Sequence, residues 1–211
     1  MSGAKIVLSK YLGILVSGKA GVGKSTFSGF AVDYAKEHYN LTHSAIFPFA
    51  FGVKEAARNC FGWDGEKDDR GRVLLQNVGK VGRDYDINIW VKKLLDKFWG
   101  MLYNSDVMLV DDWRFPNEGQ YLEINEPAFE IVKVRIESPE RESLKGKETY
   151  NDISETSLPS IEVDYNISYP YYTINNDYYN YVIANTGSLD DLNNIAKAIM
   201  DREINKLVFR K

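Results

Sequence analysis

Three glycines and a Lys-Ser pair within eight residues constrain this chain more than anything else in it. Gly18-Lys19-Ala20-Gly21-Val22-Gly23-Lys24-Ser25 has the spacing GxxxxGKS. A short apolar run, Tyr11 to Val16, precedes it, and a segment of helical spacing follows. That order predicts a strand, a tight glycine turn and the N-terminus of a helix. Glycine lets successive backbone N–H groups turn toward one point, and the helix adds its own free N–H groups and the positive end of its dipole. Gly18, Lys19, Ala20, Gly21, Val22, Gly23, Lys24, Ser25 and Thr26 are therefore the expected cradle for the phosphates of a nucleotide. In this pattern Lys24 reaches the β- and γ-phosphates and the Ser25 hydroxyl serves Mg²⁺, a hard cation that keeps most of its waters and needs one or two protein oxygens.

Other properties narrow the remaining choices. With 211 residues, 44% of them hydrophobic, the chain is long enough for one good core with small excursions folded onto it. A net charge of −4 disfavours nucleic acid as a partner, while leaving room for a local basic cleft. One cysteine, Cys60, excludes an internal disulfide and has no Cys/His set of metal-ligand spacing near it; a half-buried structural thiol is expected. The N-terminus carries no long apolar segment, so a cytoplasmic protein without membrane attachment is expected.

Along the chain, Tyr11 to Ser17 reads as a central strand. Phe27, Phe30, Ala31, Tyr34 and His38 recur at helical steps, which makes them one face of a helix ending near Asn40. Neither His38 nor His43 has candidate catalytic neighbours in sequence, so both read as structural or solvated. Ser44 to Phe51 reads as a second strand interrupted by Pro48, and Gly52 to Arg58 as a helix with Lys54 and Arg58 on one face. That pair suits either a phosphate grip or an ordinary solvated face. Asn59 to Asp69 is polar and glycine-bearing, as an exposed loop would be, and Gly71 to Arg83 holds more cations than a connector requires. Asp86 can cap a helix running to about Met101, with Trp90, Leu94 and Phe98 on its apolar face.

Asp106 to Val110 is a short apolar strand that ends in Asp111-Asp112, the form of a Walker B segment, where a carboxylate beside the phosphate loop can hold a Mg²⁺ water. Arg114 and Glu118 follow at helical spacing. Phe129 to Ile136 reads as a fourth strand, and 138–177 as a lid-like surface excursion rich in both charge signs, including Arg141, Lys145 and Lys147. Tyr165 to Tyr181 carries many tyrosines in no regular period. Tyr181 to Ala184 is a last strand, and Ser188 with Asp191 makes a capping box for a helix that buries Leu192, Ile195, Ala196, Ile199 and Met200. Strands alternating with helices predict a three-layer α/β P-loop NTPase fold with a parallel sheet of about five strands, its ligands lying across the carboxyl ends.

Four blocks resemble the deoxynucleoside monophosphate kinases of tailed bacteriophages, within the P-loop nucleoside monophosphate kinase group. They are Gly18 to Thr26; Phe49-Ala50 to Lys54; Gly71-Arg72 through Leu75-Gln76, Gly79, Arg83 and Trp90; and Asp111-Asp112-Trp113-Arg114-Phe115-Pro116-Asn117-Glu118. Ser154-Glu155 and the Ala184 to Ser188 turn add weaker matches. Two positions depart from the family pattern: Ser25 stands where members often carry aspartate, and Asp152 or Ile153 where a histidine precedes the Ser-Glu pair.

The resemblance implies transfer of the γ-phosphoryl of ATP to the 5′-phosphate of a deoxynucleoside monophosphate, with Mg²⁺. It implies a core of 1–51, 102–137 and 178–211, a monophosphate-binding excursion over about 52–101 and the lid. Lys24 and Arg114 are the implied catalytic residues, joined by Arg135 or Arg141 from the lid side. Ser25 and Asp111 are the implied metal ligands, and Asn185 faces adenine. Lys54, Arg58, Arg72, Gln76, Gly79, Arg83, Trp90, Asp112, Arg114 and Glu118 line the acceptor pocket. A kinase for another phosphorylated acceptor such as phosphomevalonate, and a slow ATP-hydrolysing switch module, are the rival readings. Base preference and assembly as a homodimer are left open.

Overall fold

The computed structural model describes residues 6–100, 106–138, 157–159, 161, 171–172 and 178–208. Tyr11–Ser17 forms β1, buried from Leu12 onward. Its side chains alternate between two hydrophobic layers: Leu12, Ile14 and Val16 face one, and Leu15 faces the other. Helix α1, Lys24–Tyr39, packs on the first side, starting after Gly23 and closing at Asn40, whose φ of 55° gives it a left-handed cap. Phe27, Ser28, Ala31, Val32, Ala35 and Tyr39 are its buried residues. The buried stripe is rotated from the expected face: His38 is exposed and stacks on Tyr34, with ring centroids 4.8 Å apart.

The expected strand over Ser44 to Phe51 is reduced to β2, Ala45–Ile46. Pro48 lacks an N–H for the ladder, and helix α2 already starts two residues later, at Ala50–Phe61. The Gly71 to Arg83 stretch lies within α3, Asp69–Tyr85, whose first turn is capped by the Asp68 carboxylate accepting from the Gly71 N–H at 2.7 Å. Helix α4, Ile89–Gly100, buries Trp90, Leu94 and Phe98 as expected; Met101 lies outside the described residues. Cys60, expected to be half-buried, is exposed near the C-terminal end of α2, because that helix buries only Gly52 and Ala57.

Strand β3, Val107–Val110, is followed by α5, Pro116–Asn125, and β4, Phe129–Glu137. Tyr171–Tyr172 forms β5, Tyr181–Ala184 forms β6, and Leu189–Leu207 forms α6. The sheet order is β2-β3-β1-β4-β6-β5. Its first five strands are parallel, and β5 adds an antiparallel edge outside the expected set. Helices α1 and α6 cover one face, around Phe27, Ile195 and Ile199. Helix α4 and α5 cover the other with Val91, Leu94, Phe98 and Leu122, against Met108 and Val110. The result is the three-layer α/β arrangement, with β1 at the centre and its turn to α1 at the carboxyl edge. The α6 capping box is present, Ser188 Oγ accepting from the Asp191 N–H at 3.2 Å and Asp191 Oδ2 from the Ser188 N–H at 2.7 Å. Most of 138–177, including Arg141, Lys145, Lys147, Ser154 and Glu155, lies outside the described residues.

Candidate active site

The glycine turn has the backbone that its sequence demands. Gly18, Gly21 and Gly23 have φ of 143°, 79° and 103°, values that side-chain-bearing residues rarely adopt. Space is closed as well as conformation. A β-carbon on Gly18 would run into the Ile136 carbonyl, and one on Gly23 would lie 2.7 Å from the Asn185 amide nitrogen. The first turn of α1 carries no acidic residue and no side-chain cap, so its N–H groups and dipole are left for an anion. Lys24 Nζ donates to the carbonyls of Gly18 at 2.6 Å and Lys19 at 2.8 Å, folded over the loop that it serves. Asn185 donates to the Val22 carbonyl at 2.9 Å, so it braces the loop from the β6 side.

Ser25 and Asp111 come together although they are far apart in sequence: the Ser25 hydroxyl donates to Asp111 Oδ2 at 2.7 Å. Parallel pairing of β1 with β3 brings them there, since it sets Leu15 opposite Val110 and puts Asp111 just past the end of β3. A hydroxyl beside a carboxylate fits a hard divalent cation that retains water. Among the described residues there is no cluster of three His, Cys, Asp or Glu that would suit a metal needing a full protein ligand set.

From Lys24, Ser25 and Asp111 a cavity of about 930 Å³ runs between the sheet edge and the α2–α4 helices. Of the expected acceptor residues, Lys54, Gln76, Gly79, Arg83, Trp90, Asp112, Arg114 and Glu118 line it. Two do not. Arg58 is exposed, with its guanidinium 5.1 Å from the centre of the Trp63 ring. Arg72 is exposed, its Nε donating to the Lys67 carbonyl at 3.0 Å. Arg135 lies outside the lining too. It sits in β4 opposite Ser17, buried, with its Nε donating to Glu137 Oε1 at 2.6 Å. Lys67, Lys80 and Phe115 are lining residues that sequence reasoning missed. Phe115 carries the Arg83 guanidinium 4.3 Å above its ring, a contact that no spacing rule reveals because Arg83 lies in α3 and Phe115 just ahead of α5.

Two of the acids in the cavity, Asp112 and Glu118, are bound to backbone. Asp112 accepts from the Phe49 N–H through Oδ1 at 2.8 Å and from the Ala50 N–H through Oδ2 at 2.9 Å. Burial raises its carboxyl above the ordinary range, opposed by those two N–H groups. Glu118 Oε2 accepts from the N–H groups of Arg114 at 3.2 Å and Phe115 at 3.1 Å, holding the turn into α5. Its burial pushes the carboxyl up to about 8, against the pull of both N–H groups and of Arg83. Trp90 is wedged between helices: its indole N–H donates to the Gly79 carbonyl at 3.0 Å, and its ring lies where a β-carbon on Gly82 would go. Packing and pocket lining are thus one role for this side chain.

No protein-family model matches the sequence, and no curated protein matches it. Among solved structures, the chain is similar to a sugar kinase from Janibacter sp. at 13% identity, covering 94% of this chain and 99% of that one with a TM-score of 0.45. It is similar to a thymidylate kinase from Ehrlichia chaffeensis at 16% identity, covering 92% and 99% with a TM-score of 0.44. A candidate kinase from Chloroflexus aurantiacus is 15% identical over 63% of this chain and 62% of its own length, with a TM-score of 0.37. Among the described residues no helix is long and apolar enough to cross a membrane.

Proposed function

We propose that the chain is an ATP-dependent kinase of nucleoside monophosphates, with deoxynucleoside monophosphates as its acceptor class. The observation that carries this reading is one continuous cavity of about 930 Å³ that joins Lys24, Ser25 and Asp111 at one wall to Lys54, Gln76, Arg83 and Arg114 at the others. A nucleoside triphosphatase switch needs the first wall only. The second wall adds cations and an amide side chain, a composition suited to a phosphorylated molecule that carries a base.

In this reading the glycine turn and the α1 N-terminus receive the triphosphate of ATP, and Lys24 leaves the Gly18 and Lys19 carbonyls for phosphate oxygens. Ser25 and Asp111 would hold Mg²⁺, which supplies charge neutralisation at the transferring phosphoryl group. Lys54, Arg83 and Arg114 orient the acceptor phosphate. That phosphate is already an anion, so alignment and charge neutralisation suffice and no strong base is required. Gln76 and Asn77 offer the cavity amide groups for a base edge, and Trp90 shapes the wall by fixing α3 against α4.

The test is release of ADP from ATP and Mg²⁺ in the presence of each dNMP, each NMP and phosphomevalonate. Turnover dependent on one or more dNMPs is expected. Turnover with phosphomevalonate alone, or ATP hydrolysis indifferent to any acceptor, would overturn the proposal.

A further inference from the structure

Helix α2 lacks an N-cap of its own. Phe49 occupies the capping position, where its side chain can accept nothing, and the first turn carries no acid. Asp112, from the end of β3, fills the gap: one carboxylate oxygen takes the Phe49 N–H and the other the Ala50 N–H. Its neighbour Asp111 faces the other way, to Ser25 at the head of α1. Two adjacent carboxylates therefore tie the starts of two helices to one strand end. Helix α2 carries Lys54 into the cavity about one turn beyond this anchor. Between the anchor and Lys54, Gly52 lies against Trp90, a β-carbon there meeting the ring at 3.0 Å, so the helix is held at a second point.

We infer that Asp112 is a positioning residue rather than a substrate ligand: by capping α2 from β3 it fixes Lys54 relative to the Ser25–Asp111 pair. The inference rests on the kinase reading for its consequence in turnover, but the anchoring can be read without it. Each oxygen of Asp112 accepts one of these backbone N–H groups, so the carboxylate bridges the first amides of the helix and its loss is felt there first. Loss of the cap frees α2 to pivot about Trp90, and the acceptor side of the cavity suffers before the donor side does.

The experiment is Asp112→Asn, read by amide exchange in NMR spectra and by steady-state kinetics with the best dNMP. Asparagine keeps the volume and one acceptor oxygen but turns an amide N–H toward a backbone N–H. The expected result is exchange at Phe49 and Ala50 roughly tenfold or more faster. The Michaelis constant for the acceptor should rise roughly tenfold, while that for ATP stays within about twofold. Ile199→Val, a remote core change, should lower overall stability and leave both readouts in place. Unchanged exchange at Phe49 and Ala50 would overturn the inference, as would a parallel rise in both Michaelis constants. Should the wild-type protein show no acceptor-dependent turnover, the kinase reading fails, and exchange alone decides the anchoring: faster supports it, unchanged overturns it. Where Asp112→Asn does not fold, Asp112→Ser, with a single acceptor, is read in the same two assays.

Discussion

At pH 5 the Glu118 side chain is a neutral acid in the folded protein and largely a carboxylate in the unfolded chain. The cause is position: it is buried at 5% exposure beside Asp112, and burial lifts its carboxyl from an ordinary 4.5 to about 8. Between those values the native state holds a proton that the unfolded state has released, so stability falls as pH rises through this window and levels off above it. At ~1.4 kcal/mol per pH unit, the full loss is about 4 to 5 kcal/mol. Glu118→Gln removes the titration and keeps a carbonyl oxygen for the Arg114 and Phe115 N–H groups. Urea unfolding of both proteins at pH 5, 7 and 9 separates this group from every other, because the remaining titrations cancel in the difference. The two proteins should agree within about 1 kcal/mol at pH 5, and the variant should be more stable by roughly 3 to 5 kcal/mol at pH 9. Stability curves that run parallel from pH 5 to 9 would refute the reasoning, since they would mean that Glu118 ionises as easily in the folded protein as in water.

Two substitutions of the same kind should act with opposite sign. Gly18→Ala forces a strained φ and meets the Ile136 carbonyl, costing on the order of 2 to 4 kcal/mol, whereas Gly29→Ala, in α1 with nothing within 4 Å of the new carbon, should gain about 0.4 to 1 kcal/mol; urea midpoints moving in the same direction for both would refute the contrast. Cys60 in the native protein should react with a thiol reagent at close to the rate of the unfolded chain, because it is exposed on α2. Reaction delayed until denaturant is added would return it to the interior.

What could be read from the sequence was local. The glycine turn, β1, β6 and the α6 capping box need only neighbouring residues to specify them, and each lies where spacing put it. Ser25 and Asp111 were also legible, because a hydrophobic run ending in aspartate predicts a strand end and the sheet order does the rest. The losses occur where tertiary partners decide. After Pro48 the chain could continue as strand or turn into helix; Asp112 supplies the cap that makes helix the outcome at Ala50. Nothing near Pro48 in sequence shows that cap. Arg58 follows Lys54 by four residues, yet it leaves the cavity for Trp63, two residues past the end of its own helix. Arg135 is one of four charged residues in β4, with Glu130, Lys133 and Glu137, and the sequence cannot show that it is the one buried beside β1 with Glu137 as its partner.

On the kinase reading proposed above, an acidic chain has to receive two phosphorylated molecules and so must confine its positive charge. Six cationic side chains line the cavity, Lys24, Lys54, Lys67, Lys80, Arg83 and Arg114, against four acids, Asp84, Asp111, Asp112 and Glu118. The acids are not spread evenly in their effect. Asp84 is paired with Lys80 at 2.6 Å near the rim. Asp112 and Glu118 spend oxygens on backbone N–H groups, and burial favours the protonated form of each. Asp111 alone lies beside the Ser25 hydroxyl, where a divalent cation would offset it. The field met by an entering phosphate is therefore more positive than the residue count implies, although the whole chain carries −4. Replacing Asp112 or Glu118 by its amide therefore alters both the charge of the cavity and the backbone that each side chain anchors.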